Sequence, residues 1–245
     1  MARTSSQRGQ ATIEYLYVVP ILLLLVLASL QFIFIYQAKQ TVNYAAFVGT
    51  RAGALNSGAM VAIQDGVAAG LAPLFAHKIG AATELDALKL GRRTAHDELT
   101  NPKLARIEIV NPTSATLAGF GTEIPNDNLM YRDPTVLKSG MNVQDANLLK
   151  VRVTYCVRLV VPIVKNMVFA FAVAPPATAA RIDSTYAGGT IAAPELLKVA
   201  GPGPTTATLC NDPTNAFPYR IPVTSEAVVR MQTPFRNPGV WNTSP

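Results

Sequence analysis

The main feature of the hydrophobic pattern is an uninterrupted apolar run near the N-terminus. Residues 16–36, LYVVPILLLLVLASLQFIFIY, include no charged side chain. As an α-helix this run is about 31 Å long, enough to cross a bilayer once. Pro20 lies near its start, where a lost backbone hydrogen bond is easier to accommodate than at the bilayer centre. The pattern predicts one transmembrane helix.

The charges before this run predict its orientation. Arg3 and Arg8 precede it, and no acidic residue occurs before Glu14. Positive charge on a short N-terminal flank favours keeping that flank in the cytoplasm. We therefore expect a single-pass membrane protein with a cytoplasmic N-terminus and an extracytoplasmic C-terminal part. A cleaved secretory signal fits this sequence less well. The apolar stretch of such a signal is usually shorter than the run 16–36 and is followed by a small-x-small cleavage site.

The segment after the membrane run is rich in alanine and has no proline from Gln37 to Leu55. This pattern predicts that the same helix continues outside the membrane as a projecting stem. Ala45, Gly49 and Gly53 recur at every fourth residue, a spacing that lets another helix backbone approach closely. That second helix belongs either to a partner subunit or to the chain's own outer domain. The small residues could also simply accompany the end of the helix before residues 56–58, and the pattern leaves these alternatives open.

The outer region combines helical and strand patterns. Residues 61–99 predict two or more helices, which Pro73 begins or interrupts and Gly80 separates. Strands are predicted at 106–110 and at 149–159, where apolar and polar residues alternate. The fold class expected is α+β: a long N-terminal transmembrane helix, as in a pilin-like lollipop, then an extracytoplasmic domain with helices packed on a small antiparallel sheet.

Two later segments are harder to interpret. The apolar run 160–173 is too short for a second crossing and is interrupted by Lys165 and Asn166, so a buried helix or a strand-helix junction fits better. Residues 174–238 are rich in proline and glycine, which predicts long surface loops among a few short elements.

Composition agrees with a membrane anchor and argues against nucleic-acid binding. The chain is 49% hydrophobic and 15% charged, whereas soluble domains average about 25% charged residues. The net charge is +6, but the basic residues are scattered and do not alternate with aromatic residues.

No pattern of catalytic or metal-ligating residues stands out. His77 and His96 are the only histidines. His96, Asp97 and Glu98 are consecutive, so on a helix they point about 100° apart and cannot converge on one ion; we expect them on the solvated surface. We expect no enzyme activity, no cofactor, no metal and no small-molecule substrate.

The two cysteines, Cys156 and Cys210, lack the close spacing of a zinc site. The strand alternation places Cys156 on the wetter face of its strand. Outside the cytoplasm a bridge between them would contribute roughly 3 to 4 kcal/mol on the chain-entropy model. A disulfide is our hypothesis, and two unpaired thiols are the alternative.

The N-terminus resembles that of type IV prepilins: a short basic leader ends at Gly9, and Glu14 follows five positions later, just before the apolar run. This resemblance implies that a prepilin peptidase cleaves between Gly9 and Gln10. Glu14, followed by Tyr15, would then neutralise the new N-terminal amine of a neighbouring subunit and set the register between subunits. A carboxylate and an amine satisfy each other in a water-poor bundle, where either alone is penalised.

The string RGQATIEY at residues 8–15, with a proline in the leucine-rich run that follows, resembles the opening of TadE-like proteins of the tight-adherence (Tad) pilus. Two later segments show a weaker resemblance to such proteins. Residues 151–155, leading to Pro162, resemble a later strand, and residues 227–232 resemble the closing segment. Gln10 stands where type IVa pilins usually carry phenylalanine, so the resemblance does not extend to N-methylation.

The resemblance implies a minor pilin or pseudopilin that contributes to pilus assembly, adhesion or secretion. Its partners would be the bacterial inner membrane, a prepilin peptidase, other pilin or pseudopilin subunits and the assembly platform; the domain would be periplasmic. The expected parts are a leader (1–9), a transmembrane and assembly helix (10–36), a helical stem (37–57) and an outer domain (58–245). The alternative is an uncleaved, membrane-anchored envelope protein with an adhesive or binding outer domain.

Overall fold

The computed structural model of the chain describes residues 7–76, 83–172, 209–210 and 219–243. Within these ranges the α-helices are α1 (Gln7–Leu55), α2 (Met60–Leu71), α3 (Glu84–Thr100), α4 (Ser114–Phe120), α5 (Val143–Ala146) and α6 (Val164–Ala172). The strands are β1 (Ala105–Asn111), β2 (Glu123–Ile124), β3 (Leu148–Arg158), β4 (Arg220–Arg230) and β5 (Phe235–Arg236). Short 3₁₀ helices occupy Ala72–Leu74 and Leu129–Tyr131.

Helix α1 is continuous over 49 residues and has two different halves. From Ile13 to Val26 its large apolar side chains are exposed, for example Leu16 and Ile21 at 69% each. Exposed large apolar side chains continue as far as Tyr36, and the helix from Ile13 to Leu55 contains an apolar stretch long enough to cross a membrane. The expected fold class is confirmed, because helices and a small antiparallel sheet follow this N-terminal helix.

The second half of α1 continues as a helix, as predicted, but it packs one face on the domain and so does not project as a free stem. Small side chains along residues 37–55 lie in the core, namely Ala38, Val42, Ala45, Ala46 and Ala54. This half packs against α2, β3 and β4. The alanines and glycines of this buried face present so little bulk that the neighbouring elements can reach the helix backbone.

Helix α2 turns back along α1 at backbone contact distance. A Cβ atom built on Gly70 would lie 2.4 Å from Ala45 Cα, and one on Gly66 would lie 2.8 Å from Gly49 Cα. A Cβ on Gly49 would lie 2.4 Å from Val67 Cγ2. Since none of these positions has room for a larger residue, the predicted small-residue stripe packs on the chain's own domain.

The three-stranded sheet has the order β1-β3-β4, with both pairs antiparallel. In this register the odd-numbered residues share one face: Ile107 lies opposite Val153, which lies opposite Ser225. These residues are buried. Both predicted strands are confirmed, with bounds that differ by one residue at each end from the predicted ones.

Strand β4 was not predicted, since it lies in the segment interpreted as loops with short elements. It has 11 residues and pairs with β3 along its whole length. Pro222 lies inside this strand, and a proline in a sequence pattern argues against a strand. A proline is nevertheless tolerated on a strand at the edge of a sheet, where β4 lies. The alternation of Ile221, Val223 and Ser225 on the buried face was the signal that sequence reasoning missed.

The remaining helical predictions hold in part. The 61–99 region contains α2 and α3, and α3 ends at Thr100 before Asn101 and Pro102. The prediction at Gly80 falls outside the described residues. After β3 the chain enters α6 through a strand-helix junction, as expected, but α6 is not a buried helix: Met167 is 44% exposed.

Replacing Gly70 by leucine should destabilise the outer domain, because the new side chain collides with the backbone of α1 at Ala45. We expect a loss of about 1 to 3 kcal/mol or more in the free energy of unfolding. Ala69→Leu is the matched control, since the neighbouring Ala69 is exposed and should change stability by less than about 0.5 kcal/mol. Chemical unfolding of the full-length chain in detergent measures both. Equal losses would contradict the close contact of α1 and α2.

Candidate assembly helix and polar sites of the outer domain

The predicted processing and register residues lie at the start of α1. Gly9 and Gln10 are in its first described turn, and Glu14 and Tyr15 follow in the next. Glu14 and Tyr15 are exposed, Tyr15 at 69%. Their surroundings on the helix surface are apolar and exposed, at Ile13, Leu16 and Tyr17. The helix thus carries one carboxylate at the edge of a surface suited to lipid or to other apolar helices.

The packing residues predicted on α1 lie away from this exposed surface. Ala45 is fully buried. A Cβ atom on Gly53 would lie 2.6 Å from Ile63 of α2 and 3.0 Å from Leu149 of β3. Together with the contacts of Gly49, this places the whole stripe inside the domain.

A buried ionic cluster, here called the Glu98 cluster, consists of Glu98, Tyr155, Arg158 and Arg220. Arg220 donates to both carboxylate oxygens of Glu98, at 3.0 Å and 3.1 Å. The Tyr155 hydroxyl and Arg158 donate to the same carboxylate. Arg220 also donates to the Cys156 carbonyl at 3.2 Å. The cluster joins α3 to the adjacent ends of β3 and β4.

Opposing effects act on the titratable groups of this cluster. Burial by itself raises the pKa of Glu98, but the hydrogen bonds from Arg220, Tyr155 and Arg158 outweigh burial, and the pKa lies below its ordinary value. Burial and the neighbouring Glu98 carboxylate raise the pKa of Tyr155. At neutral pH the carboxylate is therefore ionised and the phenol is protonated.

These properties fit a structural role for the Glu98 cluster. A general base needs a pKa near the working pH, whereas Glu98 is shifted the other way and already accepts hydrogen bonds on both oxygens. A buried carboxylate held by a bidentate arginine fixes the geometry of its elements. The cluster is thus a tie between α3 and the sheet.

Sequence reasoning placed Glu98 on the solvated surface, and this was wrong. The available signal was helical spacing: Ala87, Gly91, Ala95 and Leu99 are buried on one face of α3, and Glu98 falls on that same face. His96 is half-exposed, with its Nε2 atom 4.0 Å from Asp65 Oδ1. His77 lies outside the described residues. Among the described residues no group of three or more histidine, cysteine or acidic side chains is placed to hold a metal.

The opposite face of the sheet carries a row of charges across the three strands. Arg152 lies between Glu108 on β1 and Glu226 on β4, at 3.4 Å and 2.6 Å. Lys150 bonds the other oxygen of Glu226 at 2.6 Å. Half-exposed pairs of this kind contribute little stability, so the row mainly keeps this face of the sheet solvated.

Cys156 and Cys210 form a disulfide in the structure, with Cα atoms 5.3 Å apart. Cys156 lies on the even-numbered face of β3, as predicted, but this end of the face is covered, since Cys156 is fully buried and Cys210 is 1% exposed. The Cys210 amide donates to the Lys103 carbonyl at 2.8 Å, and the Cys156 amide donates to the Leu104 carbonyl at 2.9 Å. The segment carrying Cys210 thus covers the even-numbered face at this end of β3.

Glu98→Gln should reduce the acid sensitivity of the outer domain. The folded pKa of Glu98 lies below its unfolded value, so its contribution to stability is present at neutral pH and is lost as pH falls below about 4.5 through the folded pKa. The variant should lack this acid-dependent loss. At neutral pH it should also be about 3 to 5 kcal/mol less stable, because two arginines lose their carboxylate.

Unfolding of the full-length chain in detergent as a function of pH measures both effects. Asp97→Asn is the control, since Asp97 is the exposed neighbour on α3, and its profile should follow the unmodified chain. A pH profile of Glu98→Gln that matches the unmodified chain would contradict the structural role of the Glu98 cluster.

Substituting both cysteines by serine should lower stability. The bridge spans 54 residues, and on the chain-entropy model closing such a loop contributes about 4 kcal/mol. Reduction with a thiol reagent should destabilise the unmodified chain by a similar amount and leave the double variant unchanged. Mass spectrometry of non-reduced peptides from native cells should show the linked pair, and quantitative free thiols would contradict the bridge.

The N-terminal helix matches a known family. Residues 9–51 match the family model described as TadE-like protein. Searches of the curated proteins and of the solved structures found no similar chain. The match covers α1 from Gly9 to Arg51, and it ends before α2. The resemblance to TadE-like proteins is therefore confirmed for residues 9–51, which include both the membrane-spanning half and most of the buried half of α1.

Proposed function

We propose that this chain is a minor pilin or pseudopilin of a Tad-type pilus that takes part in pilus assembly, adhesion or secretion. The single observation that carries the proposal is the match to TadE-like proteins, which begins at Gly9, the residue after which cleavage is expected. An exposed apolar helix and one carboxylate at its edge accompany the match. This combination suits a helix that first lies in a membrane and then in a bundle of similar helices.

The proposed topology follows from the charges around the helix. Arg3 and Arg8 keep the N-terminus in the cytoplasm, and the outer domain lies in the periplasm, anchored in the inner membrane by α1. The prepilin peptidase cuts between Gly9 and Gln10 on the cytoplasmic side. A glycine at the scissile bond provides a backbone that is free of side-chain obstruction.

Cleavage would give Gln10 a free amine at the end of the helix. In a bundle, this amine on one subunit meets Glu14 of a neighbour, and the exposed Tyr15 lies beside the contact. Either charge alone would be costly in a water-poor environment, so the pair fixes the axial position of one helix against the next. The other partners in this proposal are pilin or pseudopilin subunits and the assembly platform.

Contacts between subunits would use the first half of α1. Ala45, Gly49 and Gly53 are occupied by α2 and β3 of the same chain, which leaves the large apolar side chains from Ile13 to Val26 for lipid before assembly and for neighbouring helices afterwards. Catalysis, a cofactor and nucleic-acid binding have no part in this proposal.

A second function, an uncleaved anchored protein with a binding domain, is favoured by one surface at the end of the domain away from the membrane. Here Met130 is 89% exposed, Tyr131 85% and Leu137 61%. The Asn147 side chain donates to the Pro125 carbonyl. The Met231 amide donates to the Asn147 carbonyl, and the amide of the next residue, Gln232, donates to the Ala54 carbonyl at the end of α1. Large apolar side chains exposed along one stretch of chain suit contact with another surface.

The proposal predicts that the mature chain in native cells begins at Gln10. Gly9→Val should abolish processing, and intact-mass measurement of the purified chain should then show all nine leader residues. Glu14→Gln removes the charge with little change of shape, and this variant should be processed normally but enter the pilus fraction at least several-fold less.

Ser29→Ala is the control for Glu14→Gln, since Ser29 is an exposed polar residue of the same helix whose hydroxyl already bonds Leu25 O at 2.9 Å. It should leave incorporation unchanged. A native chain that retains its leader and functions normally would favour the anchored binding protein. Normal incorporation of Glu14→Gln would overturn the role of the carboxylate.

A further inference from the structure

The chain between β3 and α6 meets α1 at a defined level along the helix. The Val161 amide donates to Gln31 Oε1 at 2.9 Å, and Gln31 is 1% exposed. Gln31 is a buried polar residue in the second half of the apolar run, and its amide is covered by this segment. The residues that follow β3, here called the base segment (160–167), are therefore fixed beside α1 at Gln31.

This level lies within the predicted bilayer. Glu14 and Gln31 are about 26 Å apart along a helix that rises about 1.5 Å per residue. The hydrocarbon core of a bilayer is about 30 Å thick. With Glu14 at the inner boundary, Gln31 and the base segment beside it lie close to the outer boundary, on the hydrocarbon side.

The base segment exposes large apolar side chains at this level. Val160 is 68% exposed, Ile163 61% and Met167 44%. Val160 and Phe34 of α1 line the same groove, of about 620 Å³, so the apolar surface of the segment is continuous with that of the membrane-spanning half of α1. Lys165 also lines this groove, with its Nζ atom 5.1 Å from the centre of the Tyr219 ring, and places a cation at the same end of the domain.

We propose that the base segment is a second membrane-contact element, with Val160, Ile163 and Met167 inserted among the lipids of the outer leaflet. The occupant of this surface is the bilayer because the surface continues that of a lipid-exposed helix at the same height. Lys165 is suited to the anionic phosphates just above the hydrocarbon boundary. The inference requires α1 to span the membrane, and it does not depend on cleavage or on a pilus.

Contact of both α1 and the base segment with the bilayer orients the domain, whereas a single helix would leave it free to tilt. The helix fixes the distance of the domain from the membrane, and the base segment fixes its tilt angle. If the chain leaves the membrane during assembly, the exposed half of α1 and the base segment both have to replace their lipid contacts with protein contacts.

The test uses the full-length chain in lipid nanodiscs with a fluorescent label at Ile163→Cys and the native disulfide intact. Leu137→Cys is the matched control, because Leu137 and Ile163 are both 61% exposed and Leu137 lies at the far end of the domain. Lipids that carry a quencher just below the headgroup should quench the label at 163 several-fold more than the label at 137. Aqueous iodide should show the reverse order.

Met167→Cys gives a second labelled position in case the first variant does not fold, and it should behave like 163. Equal quenching by iodide at 163, 167 and 137 would overturn the proposal by placing the base segment in water. Protection of 163 and 167 from both quenchers would also overturn it, because the segment would then be covered by protein, either a second copy or another part of this chain.

Discussion

Helix α1 has to satisfy two different surroundings, and the arrangement of the other elements follows from that requirement. Its first half exposes large apolar side chains, whereas its second half is lined by alanine and glycine. The large side chains suit lipid, and the small ones allow α2 and the sheet to approach the helix backbone. Gln31 marks the transition, since it is a buried polar residue whose partner is the amide of Val161.

The outer domain packs on the small-residue half of α1, and two links between its elements stabilise it at the ends of its strands. The Glu98 cluster joins α3 to β3 and β4 close to the membrane end, and the disulfide joins the same end of β3 to Cys210. The membrane anchor can position the domain only if the domain is held rigidly on α1. The Glu98 cluster and the disulfide both stabilise the domain at the point where α1 enters the core.

The sequence allowed the anchor, the fold class and two strands to be predicted, because each depends on local periodicity. It did not allow the partner of Ala45, Gly49 and Gly53 to be chosen, since a small-residue stripe has the same pattern against any helix. Glu98 was misplaced because a charged residue predicts exposure until its partners are known, and Arg220 is 122 residues away. Strand β4 was missed because Pro222 is tolerated only at an edge, and edge position is a property of the whole sheet.

One unbroken helix passes from lipid into the core of the outer domain. Amide hydrogen exchange of the full-length chain in nanodiscs tests this continuity directly. We expect continuous protection along α1 from about Leu16 to Ala54, provided by lipid in the first half and by packing in the second. A fast-exchanging break between Gln31 and Ala45 would contradict it, because the anchor and the domain would then be separate bodies joined by a hinge.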